Sequence, residues 1–256
     1  MKKHERQARI LERIERSGYL SIGEAARTLA VTTQTIRRDF EELIGTGAIR
    51  RHRGGATPNL AGKVANYTTR RTFLGTVKAA IAQRLASLIP SGASLFVEHG
   101  TTLEGLGPLL AQTRPARVVT NNLNLAVFLA RHGLDRVTVP AGVVRPSDGA
   151  VTGEQVVRSL EDYRFDLAII GASAVDPDGS LMEYEMSDLA IARAAARQSR
   201  ATIAGIDSTK FRHSAPLRIG PIAMLSALVS DTAPPASVAR AMKAAGVALH
   251  LAGERR

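Results

Sequence analysis

Three polar clusters in the chain each stand directly behind a short apolar run. Glu98-His99-Gly100-Thr101-Thr102 follows Ser94–Val97, Thr120-Asn121-Asn122 follows Arg117–Val119, and Asp207-Ser208-Thr209-Lys210 follows Thr202–Ile206. Gly100 permits close backbone approach to a ligand. Thr101 and Thr102 add hydroxyls and, at the start of a helix, free N–H groups of the kind that hold phosphate. Asn121 and Asn122 can hydrogen-bond hydroxyls. Lys210 can neutralise an anion, with Asp207 orienting it or accepting from a sugar hydroxyl. Glu98 and His99, a carboxylate beside an imidazole, suit either acid/base work or the lining of a pocket, and lining is the reading we carry. Together these groups describe a small, polyhydroxylated, phosphorylated ligand. A fourth constellation is cationic: Thr32-Thr33-Gln34-Thr35-Ile36-Arg37-Arg38. Gln and Arg donate bidentately to purine edges, and Thr meets a phosphate or a thymine methyl.

The elements that must position these groups are legible from periodicity. A first helix over His4–Ser17 has Ala8, Leu11, Ile14 and Ile10 on an apolar side, and Arg6, Arg9, Arg13 and Arg16 mostly on the other. Ser21 and Glu24 have capping-box spacing for a second helix over Ile22–Leu29. Thr32 caps a third over Thr33–Leu43, with Ile36, Phe40 and Leu43 inward. That leaves Thr33, Gln34, Arg37, Arg38 and Thr35 on or near the exposed side. Gly45–Ala56 then reads as a β-wing in which Ile49 packs inward while Arg50, Arg51 and Arg53 grip the phosphate backbone; His52 is a surface residue of the wing. The expected fold is α/β: an N-terminal winged helix-turn-helix over residues 1–56, a linker over 57–72, and a mostly parallel α/β sensor domain over 73–256. In the sensor, a helix over Ala79–Leu88 precedes strands at Ser94–Val97, Arg117–Val119, Arg136–Val139, Asp166–Ile170 and Thr202–Ile206, with helices from about Leu103 and up to about Ala130 between them. The polar clusters then lie at strand carboxyl ends, where such sheets bind ligands.

Composition narrows the function. The 256 residues include no cysteine, which excludes disulfides, a thiolate nucleophile and Cys-ligated metals. The histidines lack ligand spacing, so no metal and no cofactor are expected. No apolar run reaches membrane-spanning length, and the charged start, Met1–Arg6, does not resemble a secretory signal; a cytoplasmic location without membrane partners is expected. The net charge is +11, and residues 1–56 hold 12 Lys/Arg against 7 Asp/Glu, a concentration that favours double-stranded DNA as partner. Neither the nucleotide-binding P-loop nor the Gly-x-Gly-x-x-Gly dinucleotide pattern is present.

On Thr32–Leu43, Arg51–Ala56, Gly100-Thr101-Thr102, Val119–Leu123, Asp207–Phe211 and Ser230–Thr232, the chain resembles the DeoR family of bacterial transcriptional regulators over almost its whole length. The resemblance implies a sensor domain similar to ribose-5-phosphate isomerase, repression of carbohydrate catabolism genes, release from operator DNA by a phosphorylated sugar, and a homo-oligomer, dimer or tetramer. It carries DNA contact to Thr32, Thr33, Gln34, Thr35, Arg37, Arg38, Arg50, Arg51 and Arg53. Effector contact is carried to Glu98, His99, Gly100, Thr101, Thr102, Thr120, Asn121, Asn122, Asp207 and Lys210, with no catalytic residue and no enzymatic activity. The chain departs from the family where Glu98 and His99 stand in place of Asp and a small residue, which alters the sugar-binding part. Three other readings remain at this level: a sugar-phosphate isomerase with a DNA-binding head, a transcriptional activator of the same fold, and a nucleoid-type protein.

Overall fold

A computed structural model describes residues 3–17, 20–45, 48–52, 54–58, 67–72 and 74–253. The chain divides into two compact units, residues 1–73 and 74–256.

The first unit contains α1 (Lys3–Ser17), β1 (Leu20–Ser21), α2 (Ile22–Leu29), α3 (Thr33–Gly45), β2 (Ile49–His52), β3 (Gly55–Pro58) and α4 (Tyr67–Thr72). The Ser21 hydroxyl accepts from the Glu24 N–H at 3.1 Å and the Thr32 hydroxyl from the Thr35 N–H at 3.2 Å, so both starts carry the expected caps. Ile10, Ile14, Leu20, Ala25, Leu29, Ile36, Phe40, Leu43, Ile49 and Ala56 form one buried core. Ala8, expected inward on α1, is exposed, and Ile10 and Ile14 fill the helix–helix contact instead. β2 and β3 pair antiparallel around Gly54, whose φ of +75° suits a tight turn, and β1 adds on the far side of β3. The result is three helices and a three-stranded wing.

In the second unit the elements run α5 (Gly75–Ala86), β4 (Ser94–Val97), a 3₁₀ turn (Leu103–Leu106), α6 (Gly107–Thr113), β5 (Arg117–Thr120), α7 (Leu123–Arg131), β6 (Val137–Thr138), β7 (Val143–Val144), β8 (Val151–Thr152) and α8 (Glu154–Glu161). They continue through β9 (Phe165–Ile170), β10 (Ala174–Val175), β11 (Ser180–Glu183), α9 (Met186–Arg197), β12 (Ser199–Gly205), a second 3₁₀ turn (Ser208–Arg212), β13 (Leu217–Pro221), a third (Ile222–Met224), β14 (Ala227–Ser230), α10 (Ala236–Ala245) and β15 (Ala248–Leu251).

Seven of these strands form one sheet in the order β15-β14-β12-β9-β4-β5-β6, and every pairing in it is parallel. Alternate residues serve opposite faces: Phe96, Ala168 and Ile170 enter one core, and Leu95, Val97, Leu167 and Ile169 the other. A sheet buried on both faces explains why these strands read as continuous apolar runs. Two strands beyond the five expected, β14 and β15, complete it. β7 and β8 form a separate hairpin, and β10, β11 and β13 a small second sheet.

The sheet order matters most at its centre. From β4 the chain moves to β5 and β6 on one side, then returns through β9 to build the other. The carboxyl ends of β4 and β9 therefore flank the point where the winding reverses, which is where open α/β sheets form their crevice. Boundary differences also bear on the site. α5 starts at Gly75 rather than Ala79, which brings Lys78 into the helix. The segment after Thr102 is a 3₁₀ turn before it becomes α6. Here a Cβ at Gly105 would lie 2.9 Å from the Ala82 Cβ and one at Gly107 2.8 Å from the Phe128 ring, so close packing on α5 and α7 shapes it.

Candidate functional site

Two sites emerge, one in each unit. On α3, Thr33, Gln34, Arg37 and Arg38 are exposed, while Ile36, Phe40 and Leu43 hold the helix to the core. Thr32 is exposed too. Thr35 is half-buried, its hydroxyl 2.9 Å from that of Thr32, so this pair serves the helix start. Arg50 and Arg51 are exposed on the wing, and Arg53 lies outside the described residues.

The carboxylates of α3 have cationic or amide partners. Asp39, 2% exposed, receives Arg6 Nε at 2.5 Å and Nη2 at 3.1 Å. Glu42 receives Lys3 Nζ and the Gln7 amide, each at 2.8 Å, and Glu41 has Arg51 at 3.9 Å. Arg6, expected on the outer side of α1, is thus drawn onto α3. Arg37 and Arg38 have no carboxylate partner among the described residues. The helix consequently presents its two arginines outward and unneutralised. Its acids are occupied, which lowers the repulsion a polyanion would meet.

The second site lies at the carboxyl ends of β4, β5, β9 and β12. Gly100 has φ +141°, a conformation costly for other residues, and its carbonyl accepts from the Glu104 N–H at 3.0 Å. Lys78, buried on α5, donates Nζ to the Thr101 hydroxyl at 2.9 Å. Thr102 makes no side-chain capping bond. Gly100, Thr101, Thr102 and Lys78 therefore gather N–H groups, hydroxyls and a cation in one loop, a combination suited to phosphate.

Beside it, Glu98 is 4% exposed; the Gly171 N–H, at the end of β9, donates to its Oε2 at 2.9 Å. Burial, reinforced by the nearby Asp188 and Glu183 charges, pushes the Glu98 carboxyl up to about 8 against the pull of His99 and the Gly171 bond. His99 Nε2 lies 3.1 Å from Arg145 Nη2 and 3.3 Å from Asp188 Oδ2. Burial lowers the affinity of His99 for a proton, but Asp188 and Glu98 outweigh it and hold its pKa above the ordinary histidine value. Arg145 in turn reaches both Asp188 oxygens, at 3.1 and 3.0 Å, and Asp148 through Nε and Nη2, each at 2.9 Å. Burial works against the charges of Asp188 and Asp148, yet the bonds from His99 and Arg145 keep both below the usual carboxylate range.

The remaining sequence-derived positions are engaged within the protein. Thr120, Asn121 and Asn122 are almost fully buried. The Thr120 hydroxyl accepts from the Asn122 N–H at 3.1 Å. Asn121 accepts from the His99 N–H at 2.8 Å and donates to the Val151 carbonyl at 3.2 Å. Asn122 caps α7 through the Leu125 N–H and donates to Glu104. These three residues shape the strand-end loops rather than offering open hydroxyl readers. Asp207 is likewise buried and accepts from the Thr209 N–H and hydroxyl, capping the turn that carries Lys210. The Lys210 ammonium makes no ion pair among the described residues; burial and this cation together lower the nearby His213 to about 4. Sequence reasoning missed Lys78, Arg145, Asp148 and Asp188. Lys78 fell just before the expected helix start. The other three carry no local signal beyond the i, i+3 spacing of Arg145 and Asp148.

Among the described residues no group of three His, Asp or Glu side chains could hold a metal ion, and no helix is long and apolar enough to cross a membrane.

Comparison with known proteins gives a consistent picture. Residues 6–60 match the DeoR-like helix-turn-helix domain and residues 75–232 the DeoR C terminal sensor domain. A glycerol-3-phosphate regulon repressor of Haemophilus influenzae is 38% identical over 234 residues, 91% of each chain. The protein of that name from Escherichia coli is 35% identical over 238 residues, 93% of this chain and 94% of that one. Among solved structures, ribose 5 phosphate isomerase A from Neisseria gonorrhoeae aligns over 55% of this chain and 54% of its own at 16% identity, with a TM-score of 0.37.

Proposed function

The chain belongs to the DeoR family of helix-turn-helix transcriptional regulators of carbohydrate metabolism, and from that premise we propose that it is a repressor released from its operator by a small phosphorylated sugar or polyol. DNA binding is assigned to residues 1–56, the connection to 57–72 and sensing to 73–256. The observation that carries the DNA half is the outward, unneutralised Arg37–Arg38 pair on a helix whose acids are occupied. One such helix reads only a few base pairs, so a homo-oligomer would set two of them on a two-fold operator.

The effector half is supported by the Lys78–Thr101 contact inside the Gly100–Thr102 loop and by the relatives named for glycerol-3-phosphate. Three-carbon polyol phosphates are the first class to test. Release requires the ligand to bind the DNA-free arrangement more tightly than the bound one. Fluorescence anisotropy on a labelled upstream duplex and a scrambled duplex, at about 0.15 M salt, tests both halves. Preference for the upstream duplex that a sugar or polyol phosphate abolishes is expected. Equal binding to both duplexes would sink the operator reading, and indifference to every phosphate would sink the effector reading.

A further inference from the structure

The loop after β4 holds phosphate-type donors at Gly100–Thr102, but the adjoining residues have a different chemistry that the phosphate does not use. Glu98 and His99 precede the loop, at the crevice between β4 and β9. We propose that Glu98 and Asp188, flanking His99, are the specificity determinants of the effector site: they read two adjacent hydroxyls next to the phosphate and exclude effectors that carry a second acid there. This rests on the phosphate-binding role proposed above for Gly100–Thr102.

Glu98 supplies the first half of the argument. It is almost fully buried, one of its oxygens accepts from Gly171, and the other has no hydrogen-bond partner among the described residues. A polar atom of a buried residue left without a partner costs stability unless something pairs with it. Because burial favours the protonated acid, that oxygen can present an O–H donor at neutral pH.

Asp188 supplies the complementary half. Arg145 and His99 hold it charged and fixed, and two oxygens offer about four acceptor positions, so lone pairs remain after both partners are served. Each hydroxyl of a diol both donates and accepts. A fixed donor beside a fixed acceptor therefore suits a diol better than a lone alkyl group or an acid. Arg145 makes no contribution to binding an acid, because Asp148 and Asp188 occupy it. With Asp188 and Glu183 both near Glu98, a carboxylate or second phosphate would meet only negative charge.

Size follows from the chain itself. His99 and Thr101 are two residues apart, so their Cα atoms are at most about 7 Å apart. That matches the span from a phosphate to the far hydroxyl of a three- or four-carbon chain. The hexose phosphates are longer.

Isothermal titration of the full chain with four probes tests this: glycerol 3-phosphate, propyl phosphate, 3-phosphoglycerate and glucose 6-phosphate. Glycerol 3-phosphate is expected to bind tighter than propyl phosphate and 3-phosphoglycerate by roughly tenfold or more. Asp188→Asn and Glu98→Leu should collapse that ratio while leaving propyl phosphate affinity unchanged. Glu98→Gln, neutral and still a donor, should keep it. If Asp188→Asn does not fold, the Glu98→Leu and Glu98→Gln pair decides.

Equal binding of glycerol 3-phosphate and propyl phosphate would overturn the hydroxyl reading and leave the phosphate reading standing, as would a ratio that both Glu98→Leu and Asp188→Asn preserve. Tight binding of glucose 6-phosphate with none of glycerol 3-phosphate would overturn the size argument. Binding of no probe would remove the phosphate reading, and this proposal with it.

Discussion

Replacing Glu98 with Gln should make the protein's stability respond differently to pH, and the size of the effect follows from its burial. In the folded chain the carboxyl keeps its proton up to about 8, whereas a free glutamate ionises near 4.5. Between those values the unfolded chain releases a proton that the folded chain retains. Stability contributed at this position therefore falls as pH rises from about 4.5, and levels off above about 8. Linkage gives about 1.36 kcal/mol per pH unit once the unfolded group is fully ionised. From pH 5 to pH 7 the wild type should lose roughly 2–3 kcal/mol relative to Glu98→Gln, which has no proton to lose. Gln is nearly isosteric and its carbonyl oxygen can still accept from the Gly171 N–H, so the comparison isolates the charge. Urea unfolding followed by far-UV circular dichroism at pH 5, 6 and 7 measures it, and titrations common to both proteins cancel in the difference. A gap that stays constant across that range, or one in which the wild type gains on the variant as pH rises, would refute the claim that Glu98 is buried as a neutral acid.

Arg37→Ala and Arg38→Ala should each weaken operator binding by anisotropy, and a base-reading arginine should cost roughly 1–3 kcal/mol; wild-type binding by both would end the assignment of α3 to recognition. Arg6→Met should destabilise the N-terminal unit by about 3–5 kcal/mol, because Asp39 would be left buried without its partner. Adding Asp39→Leu should restore most of that loss in urea unfolding, and no restoration would mean that packing by Arg6, not its charge, was lost. At Gly142 a Cβ would stand 2.6 Å from the Thr152 carbonyl and 2.7 Å from Val156 Cγ2, so Gly142→Ala should displace the β7–β8 hairpin and cost about 1–3 kcal/mol in thermal unfolding. Since that hairpin carries Arg145, the same variant should bind glycerol 3-phosphate several-fold more weakly, and unchanged titration would detach the hairpin from the effector site.

The helices of the N-terminal unit could be read from the chain because their signals are local. Ser21 and Thr32 make the capping bonds that their spacing predicts, and Ile36, Phe40 and Leu43 are buried as their period requires. Strands were harder at the edges of the sheet. β6 is shorter than the apolar run Arg136–Val139 suggests, and β14 and β15 were not recognised. The Arg6–Asp39 pair was hidden because an arginine on the polar side of a helix reads as solvated until the partner helix is in place.

What the residues determined by themselves was the order of elements, the parallel α/β class and the loops in which chemistry would fall, since capping, periodicity and apolar runs act over a few neighbours. What those loops contain was decided by tertiary structure. Lys78 meets Thr101 across 23 positions, Arg145 meets Asp188 across 43, and Glu98 meets Gly171 across 73. The last contact exists because the chain returns from β6 to lay β9 beside β4. Only that strand order closes a dry crevice over the Glu98 carboxyl, and burial there, rather than residue type, makes it a neutral donor instead of an ordinary surface charge.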